Sequence, residues 1–437
     1  MAAKISNQAD PGACGSTLLS TLFIVVILST ALASYLLAVR AQNLLGAESQ
    51  AWNGSLTLAE AGIEDGLGQV NVVYGNIPDG TNYIPSITTN WGPLNAGVYF
   101  RSNFWPSGSY SASVLPTNPG PIITSTGYTK VPLMGVRISR IVQVTTGPAH
   151  LFTLGMAATS GITTKGNKLT VDSYDSSDPA HSTNGMYNAA THKAGGDIAT
   201  LAGTVDVQNA NIYGHVELGP SASFSINNGT VGDLNWTGPG VESGYLLNGF
   251  NLSPADVSVP YTNGFSVPSS KGGYSLVNGN YIVNGDFVMS QNQVMTVTGN
   301  ATLYVTGNFN MKSQNNCSIN IANGASLTLY VGAASGSAVS ASLTQVNLTG
   351  NANNFRYFGL PTNTSVNWNG NNTYVGTLYA PKADFSCGGG GNNPYDFQGA
   401  CVVKTVTMNG KFNFHFDENL GRTSTYIGFV VTSWKEL

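Results

Sequence analysis

The sequence predicts a mainly β protein with one long helix at its N-terminus. Residues 11–39 form an uncharged, largely apolar stretch, which is typical of a helix that crosses a membrane. Short segments rich in Val, Ile, Thr and aromatic residues recur through the rest of the chain, and such residues favour strands. Ten Asn-Gly dipeptides, nine of them after residue 150, mark tight turns between these segments. These features predict a helix, a small α+β head and a large β domain.

The composition excludes several classes of function. Charged residues make up 9% of the 437 residues, the formal net charge is −4, and Lys and Arg form no cluster. A nucleic-acid partner is therefore not expected, because neutralising phosphates requires clustered cations. The five His residues lack zinc-binding spacing, and the sequence contains no nucleophile elbow and no Walker motif. We expect no cofactor, no catalytic residue and no enzymatic activity.

The apolar stretch predicts a single membrane span. From Ser16 to Val39 it covers 24 residues, or about 36 Å of helix against a hydrocarbon core of about 30 Å. Ala31 to Ser34 resembles a signal-peptide cleavage site, so a cleaved signal is the alternative. Because the segment before the span is short, we expect it to stay cytoplasmic. The bulk of the chain would then be extracytoplasmic or on the cell surface.

An amphipathic helix is predicted to continue the span to about residue 70. Its apolar stripe has helical spacing and consists of Leu45, Trp52, Leu56, Ala59, Ile63, Leu67 and Val70. Four glycines within it each weaken a helix by about 1 kcal/mol relative to Ala, so the helix needs packing to persist. They are Gly54, Gly62, Gly66 and Gly68.

Beyond this helix the sequence predicts strands. Alternating segments between residues 98 and 144 have the spacing of a β meander. After residue 150, brief strand-and-turn units repeat, and in one of them Leu303, Val305, Phe309 and Met311 share a parity, so one face is buried. Irregular repetition over nearly 290 residues favours a continuous β-solenoid, which grows along one axis without a thicker core. A two-sheet β-sandwich is the alternative.

The N-terminus combines Gly15, the Ser16-Thr17-Leu18-Leu19 start of the span, Arg40 and the segment 59–64. In these features it resembles the N-terminus of PilX-like minor pilins in the type IV pilin family. The resemblance implies that a leader is cut between Gly15 and Ser16, and that the helix packs against other pilin-like subunits in a filament. Ser20 stands where ordinary pilins have Glu, which argues against a major subunit.

The C-terminal part resembles an uncharacterised domain, without assigned catalysis, that often follows PilX-like N-termini. The segments 355–361, 376–383 and 412–420 carry this resemblance. The strand pattern and the two resemblances together predict a leader over 1–15, a transmembrane and amphipathic helix over 16–75, a pilin-like β meander over 76–148 and a right-handed β-solenoid over 149–437.

A few residues are candidates for local chemistry. Asp172, Asp175 and Asp178 lie among serines, so we expect them to cap turns and to bind no metal; a calcium site is the alternative. His415 and Asp417 alternate in a strand, which predicts a His–Asp hydrogen bond that closes the domain.

The cysteines give one further expectation. Cys387 and Cys401 are 14 residues apart and could meet on adjoining coils as a disulfide in an oxidising envelope. Cys317 has apolar neighbours and is expected to be a buried thiol.

These expectations combine into a functional hypothesis. The chain would be a structural, minor-pilin-like component of a type IV pilus or pseudopilus-like bacterial assembly. Its partners would be the membrane, other pilin-like subunits through the N-terminal helix, and a glycan or surface bound by the exposed solenoid. The alternatives are a stand-alone membrane-anchored adhesin and a β-helix polysaccharide-active enzyme.

Overall fold

The computed structural model describes residues 13–74, 91–94, 98–132, 134–165, 169–290, 292–312, 317–348, 350–369, 373–388 and 395–437. Most of the leader expected over residues 1–15 lies outside these ranges. The chain divides into two compact units, Met1–Ala149 with Ile427–Leu437, and His150–Tyr426. The second unit is therefore an insertion within the first.

Helix α1, Ala13–Tyr74, is a single helix of 62 residues. Every large apolar side chain between Leu18 and Leu37 is more than half exposed, around the whole circumference of the helix. By length and composition, α1 is long and apolar enough to cross a membrane. The expected processing point at Gly15–Ser16 falls in its first turn and stays a prediction.

The second half of α1 packs on the sheet of its own unit through small residues. Ala51, Ser55 and Ala59 are almost fully buried. A Cβ added at Gly62 would lie 2.1 Å from Ser125 Oγ, so a side chain there would have to displace the sheet. The predicted large-residue stripe is wrong at its start, where Leu45 and Trp52 are exposed. Close approach of helix and sheet puts small residues, and not Leu or Trp, at the contact.

The first unit contains a six-stranded sheet, in which five strands form a meander and the C-terminal strand pairs beside the fifth. The pairings among the first five strands are antiparallel. The strands are β1 (Gly92–Leu94), β2 (Val98–Trp105), β3 (Gly108–Leu115), β4 (Ile122–Lys130), β5 (Arg137–His150) and the C-terminal strand (Tyr426–Glu436).

The sequence predicted that the second domain extends to residue 437, and this C-terminal boundary is wrong. The last eleven residues belong to the first unit, where the Leu437 N–H donates to the Ile141 carbonyl at 2.9 Å. Arg140 also forms an ion pair with Glu436. The sequence of a short alternating strand does not indicate which strand it pairs with. The pairing of the C-terminal strand with β5, across an insertion, could therefore not be predicted.

The second unit is built from short strands with little helix. A 3-10 turn occupies Ala352–Asn354, and a four-residue helix α2 occupies Leu420–Thr423. The strands are β6 (Met156–Ala158), β7 (Ile162–Thr164), β8 (Thr170–Tyr174), β9 (Ile198–Val207), β10 (Asn211–Tyr213), β11 (Val216–Ile226), β12 (Thr230–Gly232), β13 (Gly240–Val241), β14 (Leu246–Asn248), β15 (Ser269–Ser270), β16 (Gly273–Leu276), β17 (Gly279–Val283), β18 (Phe287–Met289), β19 (Val294–Val297), β20 (Asn300–Val305), β21 (Phe309–Met311), β22 (Ser318–Ile321), β23 (Ser326–Val331), β24 (Val339–Leu343), β25 (Gln345–Val346), β26 (Phe355–Gly359), β27 (Asn363–Asn369), β28 (Tyr374–Gly388), β29 (Tyr395–Met408) and β30 (Phe412–Asp417).

These strands stack in parallel from coil to coil. β17, β20, β23 and β26 pair in that order, and β26 then pairs with β28. Two further columns, which begin at β16 and β18, also end at β28. Parallel stacking of successive coils is the arrangement of a solenoid. The predicted fold class, mainly β after a long N-terminal apolar helix, is confirmed; the right-handed sense stays a prediction.

The order of the coils in space differs from their order in sequence. β6 and β7, at the start of the unit, pair with β29 near its end, and β8 pairs with β30. The coils that follow β8 stack away from this junction through β9, β11 and β14. The junction, here called the seam, joins a first stack (β6–β14) to a second stack (β16–β30). The sequence predicted nothing about the order of the coils, so this arrangement does not contradict the expected continuous solenoid.

A crossing segment, residues 249–268, connects the two stacks and contains no strand. Its residues Phe250, Leu252 and Val257 pack on an apolar cluster of the second stack. The Tyr379 hydroxyl donates to the Ala255 carbonyl at 2.7 Å, and the Tyr261 hydroxyl donates to the Tyr281 carbonyl at 2.6 Å. The segment thus runs along the outside of the second stack and returns the chain to its far end.

The interior of the second unit is filled by side chains stacked from one coil to the next. Tyr374 and Phe397 have parallel rings with centroids 4.4 Å apart, and Phe397 stacks in turn on Phe414 at 4.7 Å. Trp368 is fully buried beside them, and its indole N–H donates to the Thr344 carbonyl at 3.0 Å. These stacked rings continue the core through β28, β29 and β30, and β30 borders the seam.

Candidate functional site

A cleft of about 360 Å³ lies at the seam. The strands β8, β10, β29 and β30 and the loop between β8 and β9 form its walls. Its lining consists of Thr170, Asp172, Tyr187, Ala189, His192, Tyr213, Asp396, Asn413 and His415. The cleft therefore combines residues from both stacks.

Parallel register aligns the polar residues of the cleft into two rows. Asp396 on β29 is paired with Asn413 on β30. Two residues further along β30, on its other side, His415 is paired with Asp172 on β8. Since neighbouring strands in a sheet lie about 4.8 Å apart, side chains on the same face of paired residues come into contact.

His415 is held between two carboxylates. Its Nδ1 lies 2.5 Å from Asp172 Oδ1, and its Nε2 lies 3.3 Å from Asp396 Oδ1. The second contact brings the charges together but lacks hydrogen-bond alignment, so Nε2 has no hydrogen-bond partner among the described residues. The ring of Tyr187 stacks on the imidazole with centroids 3.5 Å apart, and its hydroxyl donates to Asp172 Oδ2 at 2.8 Å.

The electrostatics of the cleft favour a protonated His415. Burial lowers the pKa of this imidazole, but the hydrogen bond to Asp172 and the attraction to both Asp172 and Asp396 outweigh burial, and the pKa lies above its usual value. The pKa of Asp396 is lowered, because His415 and Asn413 together outweigh the effect of burial. The pKa of Tyr187 is raised by burial and by Asp172. With His415 protonated, one cation lies between two carboxylates, and the group then carries one net negative charge.

The three aspartates singled out in the sequence, Asp172, Asp175 and Asp178, each contact different partners. Asp172 belongs to the cleft, whereas Asp175 Oδ1 accepts from the Ser177 N–H at 3.0 Å. Asp178 Oδ1 accepts from the Ala180 N–H at 2.9 Å. Asp175 and Asp178 therefore cap turns, as predicted, but the prediction is wrong for Asp172, which lies within strand β8 and faces the cleft. Within the described ranges, no group of three or more His, Cys, Asp or Glu residues is arranged to hold a metal ion.

Asp417 is not the partner of His415, contrary to the sequence prediction. Its Oδ1 accepts from the Ser176 N–H at 3.0 Å and from the Asn419 N–H at 3.2 Å. Burial raises the pKa of Asp417 to about 6. The partner of His415 comes instead from β8, a strand 243 residues away in sequence. Alternation within one strand cannot identify such a partner.

The predicted disulfide between Cys387 and Cys401 is absent, and both residues are free thiols. On β28 and β29, Cys387 is paired with Met408 and Cys401 with Leu378, so the two are not opposite each other. Both are fully buried, and burial raises the pKa of each thiol. Cys317 is also a buried thiol, as predicted.

Sequence reasoning did not find most of the cleft. Tyr187, His192, Tyr213, Asp396 and Asn413 carry no motif and are scattered over more than 200 residues. The one available signal was in the aromatic strand β30, where Asn413 and His415 alternate with three phenylalanines and so share the face opposite Phe412 and Phe414. A polar residue in such a strand needs a buried partner.

Comparison with known proteins gives few matches. A family model described as "Domain of unknown function (DUF7305)" matches residues 256–423. This range covers the later part of the crossing segment, the second stack and α2, but not the first stack. No curated protein matches the chain.

One solved structure found is that of the competence-associated pilin ComZ from Thermus thermophilus. It is 12% identical in sequence, with a TM-score of 0.27, and the match covers 88% of this chain and 97% of that chain. A TM-score this low does not establish a shared fold.

Proposed function

We propose that this chain is a minor-pilin-like subunit of a bacterial envelope filament, anchored by α1 and presenting its coiled β unit outside the membrane. The observation that carries the proposal is the division of α1 into two halves. The first half exposes apolar side chains on all sides, whereas the second half is fixed to an antiparallel sheet through small residues.

The first half of α1 requires an apolar environment. Thirteen exposed Leu, Ile, Val, Phe and Tyr side chains between Leu18 and Leu37 would be unfavourable in water. Lipid or a bundle of similar helices would cover them equally well, so the helix could pass from a bilayer into a filament core without contacting water. The resemblance of residues 15–40 and 59–64 to PilX-like pilins supports this use of the helix.

The second unit suits presentation and binding more than catalysis. Glycoside hydrolysis needs one carboxylic acid that is neutral near pH 7, whereas Asp396 has a lowered pKa and Asp172 is engaged by His415 and Tyr187. The residues lining the cleft include no Lys or Arg to stabilise a carbanion. We therefore favour an adhesive role over the polysaccharide-active enzyme.

Mass spectrometry of the mature N-terminus tests the proposal directly. We expect a chain that begins at Ser16 in membranes and in sheared filaments of the native host. A Gly15→Leu variant should keep its leader, remain in the membrane fraction and be lost from filaments. Gly12→Leu, a matched change within the leader, should be processed normally.

Two results would contradict the proposal, each in favour of a different alternative. A mature chain that begins after Ala33 or Ser34 would indicate a secreted protein. An unprocessed chain that retains Met1 and is absent from filaments would indicate a stand-alone membrane-anchored adhesin.

A further inference from the structure

The floor of the cleft carries a buried N–H donor whose neighbouring acceptor, Asp396 Oδ1 at 3.3 Å from Nε2, is not aligned for a hydrogen bond. The His415 side chain is 2% exposed, and its Nε2 is buried without a hydrogen-bond partner among the described residues. A protonated imidazole has two N–H donors, and Nδ1 already donates to Asp172. Because an unpaired buried donor is costly, an acceptor atom that reaches the cleft floor would be favoured there.

The charges around this donor limit what the acceptor can belong to. Asp172 balances the charge of His415, so Asp396 leaves the cleft with one net negative charge, and this disfavours phosphate, sulfate and carboxylate ligands. The Nε2–H of a protonated His415 disfavours a metal cation at the same place. A neutral ligand that both donates and accepts hydrogen bonds satisfies both restrictions.

The remaining lining has the character of a site for a polyol. Asp396 is one-third exposed and offers carboxylate lone pairs, and Thr170 and Asn413 lie beside it. On the opposite side, the rings of His192 and Tyr213 lie with centroids 5.8 Å apart. Their faces provide apolar surface against which the C–H groups of a sugar ring can pack.

The size of the cleft restricts the ligand further. Small-molecule sites commonly span about 300–1,000 Å³, and the cleft, at about 360 Å³, is at the lower end. It can admit a single sugar unit from a longer chain and leave the rest of the chain outside.

We propose that the seam cleft binds one neutral hexose unit of a glycan, with the His415 Nε2–H donating to a ring or hydroxyl oxygen and Asp396 accepting from sugar hydroxyls. The inference rests on the proposed adhesive function and names the ligand class of its exposed unit. It also assigns a purpose to the seam, since the cleft exists only where the two stacks meet.

The test uses the purified full-length chain in a detergent that contains no sugar, so that the detergent cannot occupy the site. Binding of maltotriose, cellotriose, mannotriose and chitotriose is measured by saturation-transfer NMR and calorimetry, with trigalacturonate and Ca²⁺ as charged comparators. We expect at least one neutral trisaccharide to bind, and neither charged probe to compete with it.

Two variants locate the binding. Asp396→Asn should weaken binding at least tenfold, because it replaces a charged acceptor by a neutral amide. Asp384→Asn is the matched control, since this carboxylate on β28 is half exposed and outside the cleft, and it should bind as the wild type does. Thermal unfolding of each variant identifies any loss that reflects misfolding. Tyr213→Ala, which removes the ring that packs against the sugar, then provides a second test of the site and should also weaken binding.

The inference is overturned if no neutral trisaccharide binds the folded protein, if Asp396→Asn and Tyr213→Ala both bind undiminished, or if a charged probe binds in preference. These outcomes are independent of leader processing. A chain that matures at Ser16 and enters filaments but binds no sugar overturns only this inference, whereas a sugar-binding chain that keeps its leader overturns only the proposed function.

Discussion

His415 and Asp172 form a buried 2.5 Å contact between the last and the first stretches of the inserted unit. They lie 243 residues apart in sequence, on the paired strands β30 and β8. The contact therefore joins the two stacks at the seam. It also places a charged group beneath the cleft, so the same pair contributes to folding of the unit and to the proposed binding site.

Removing one partner of this pair should destabilise the inserted unit. Asp172→Asn leaves the His415 cation with only the poorly aligned Asp396, and breaking a buried ion pair in this way typically costs about 3–5 kcal/mol. Calorimetric melting of the full-length chain should show a clearly lower Tm for the transition of this unit.

Asp178→Asn is the control for that variant. Asn can still accept from the Ala180 N–H, so the turn cap is kept, and we expect a change within about 0.5 kcal/mol. An equal loss of Tm in both variants would show that the Asp172–His415 contact has no special role in stability.

The stabilisation from His415 should depend on pH. Its pKa is raised above the usual 6.5 in the folded state by Asp172 and Asp396, so the folded state holds the proton more tightly than the unfolded state. The contribution is fully present below pH 6.5 and is lost as pH rises through the folded-state pKa. The Tm difference between wild type and His415→Gln should accordingly shrink on the alkaline side. A difference that stays constant from pH 6 to pH 9 would contradict protonation of the imidazole.

At neutral pH, Asp417 should destabilise the folded state, whereas His415 stabilises it. Burial raises its pKa from 3.8 to about 6, and its Oδ2 is buried without a hydrogen-bond partner among the described residues. Stability is therefore lost as pH rises from about 4 to about 6, because the folded carboxyl must ionise in a buried place.

Asp417→Asn should remove this cost while its side-chain oxygen still accepts from the Ser176 and Asn419 N–H groups. At about 1.4 kcal/mol per pKa unit, a gain of roughly 1–3 kcal/mol is expected at pH 7. No gain is expected at pH 4, where the wild-type carboxyl is already protonated in the fold. Urea unfolding at the two pH values measures the difference, and a less stable variant at pH 7 would refute the assignment.

Local patterns in the sequence were sufficient to predict the long helix and several of the tight turns. The uncharged stretch to Val39 and the periodicity to Val70 predicted most of α1, which ends at Tyr74. Several Asn-Gly turns do place Gly at positive φ, as at Gly285 and Gly324, with φ of +105° and +77°. These features depend on neighbouring residues in the chain, and such interactions leave a periodic or compositional pattern.

The seam and the cleft could not be predicted because they depend on which distant strands pair. Nothing within 156–164 indicates that these strands lie beside 401–408 rather than at one end of a stack. The same limit explains why the predicted disulfide is absent. Cys387 and Cys401 are both buried, but they are not paired with each other across the neighbouring strands β28 and β29. Register between coils is set by non-local packing, and one sequence does not record it.

The glycines of α1 provide the most direct test of how the helix packs on its sheet. A Cβ at Gly62 would lie 2.1 Å from Ser125 Oγ and 2.8 Å from the Tyr110 ring, whereas a Cβ at Gly68 would have no atom within 4 Å. Both positions are within the same helix, so Gly→Ala has the same intrinsic effect at each, a gain of about 0.5–1 kcal/mol.

Gly68→Ala should therefore raise the Tm of the first unit, and Gly62→Ala should lower it, because overpacking a contact typically costs about 1–3 kcal/mol and exceeds the helix-propensity gain. Hydrogen exchange measures the effect locally, since separation of helix and sheet would reduce amide protection around Ser55 and Ala59, which are buried against Gly127. If Gly62→Ala were as stable as Gly68→Ala, with unchanged protection, the close contact between helix and sheet would be disproved. The small residues of α1 would then need another explanation, such as contact with a neighbouring helix.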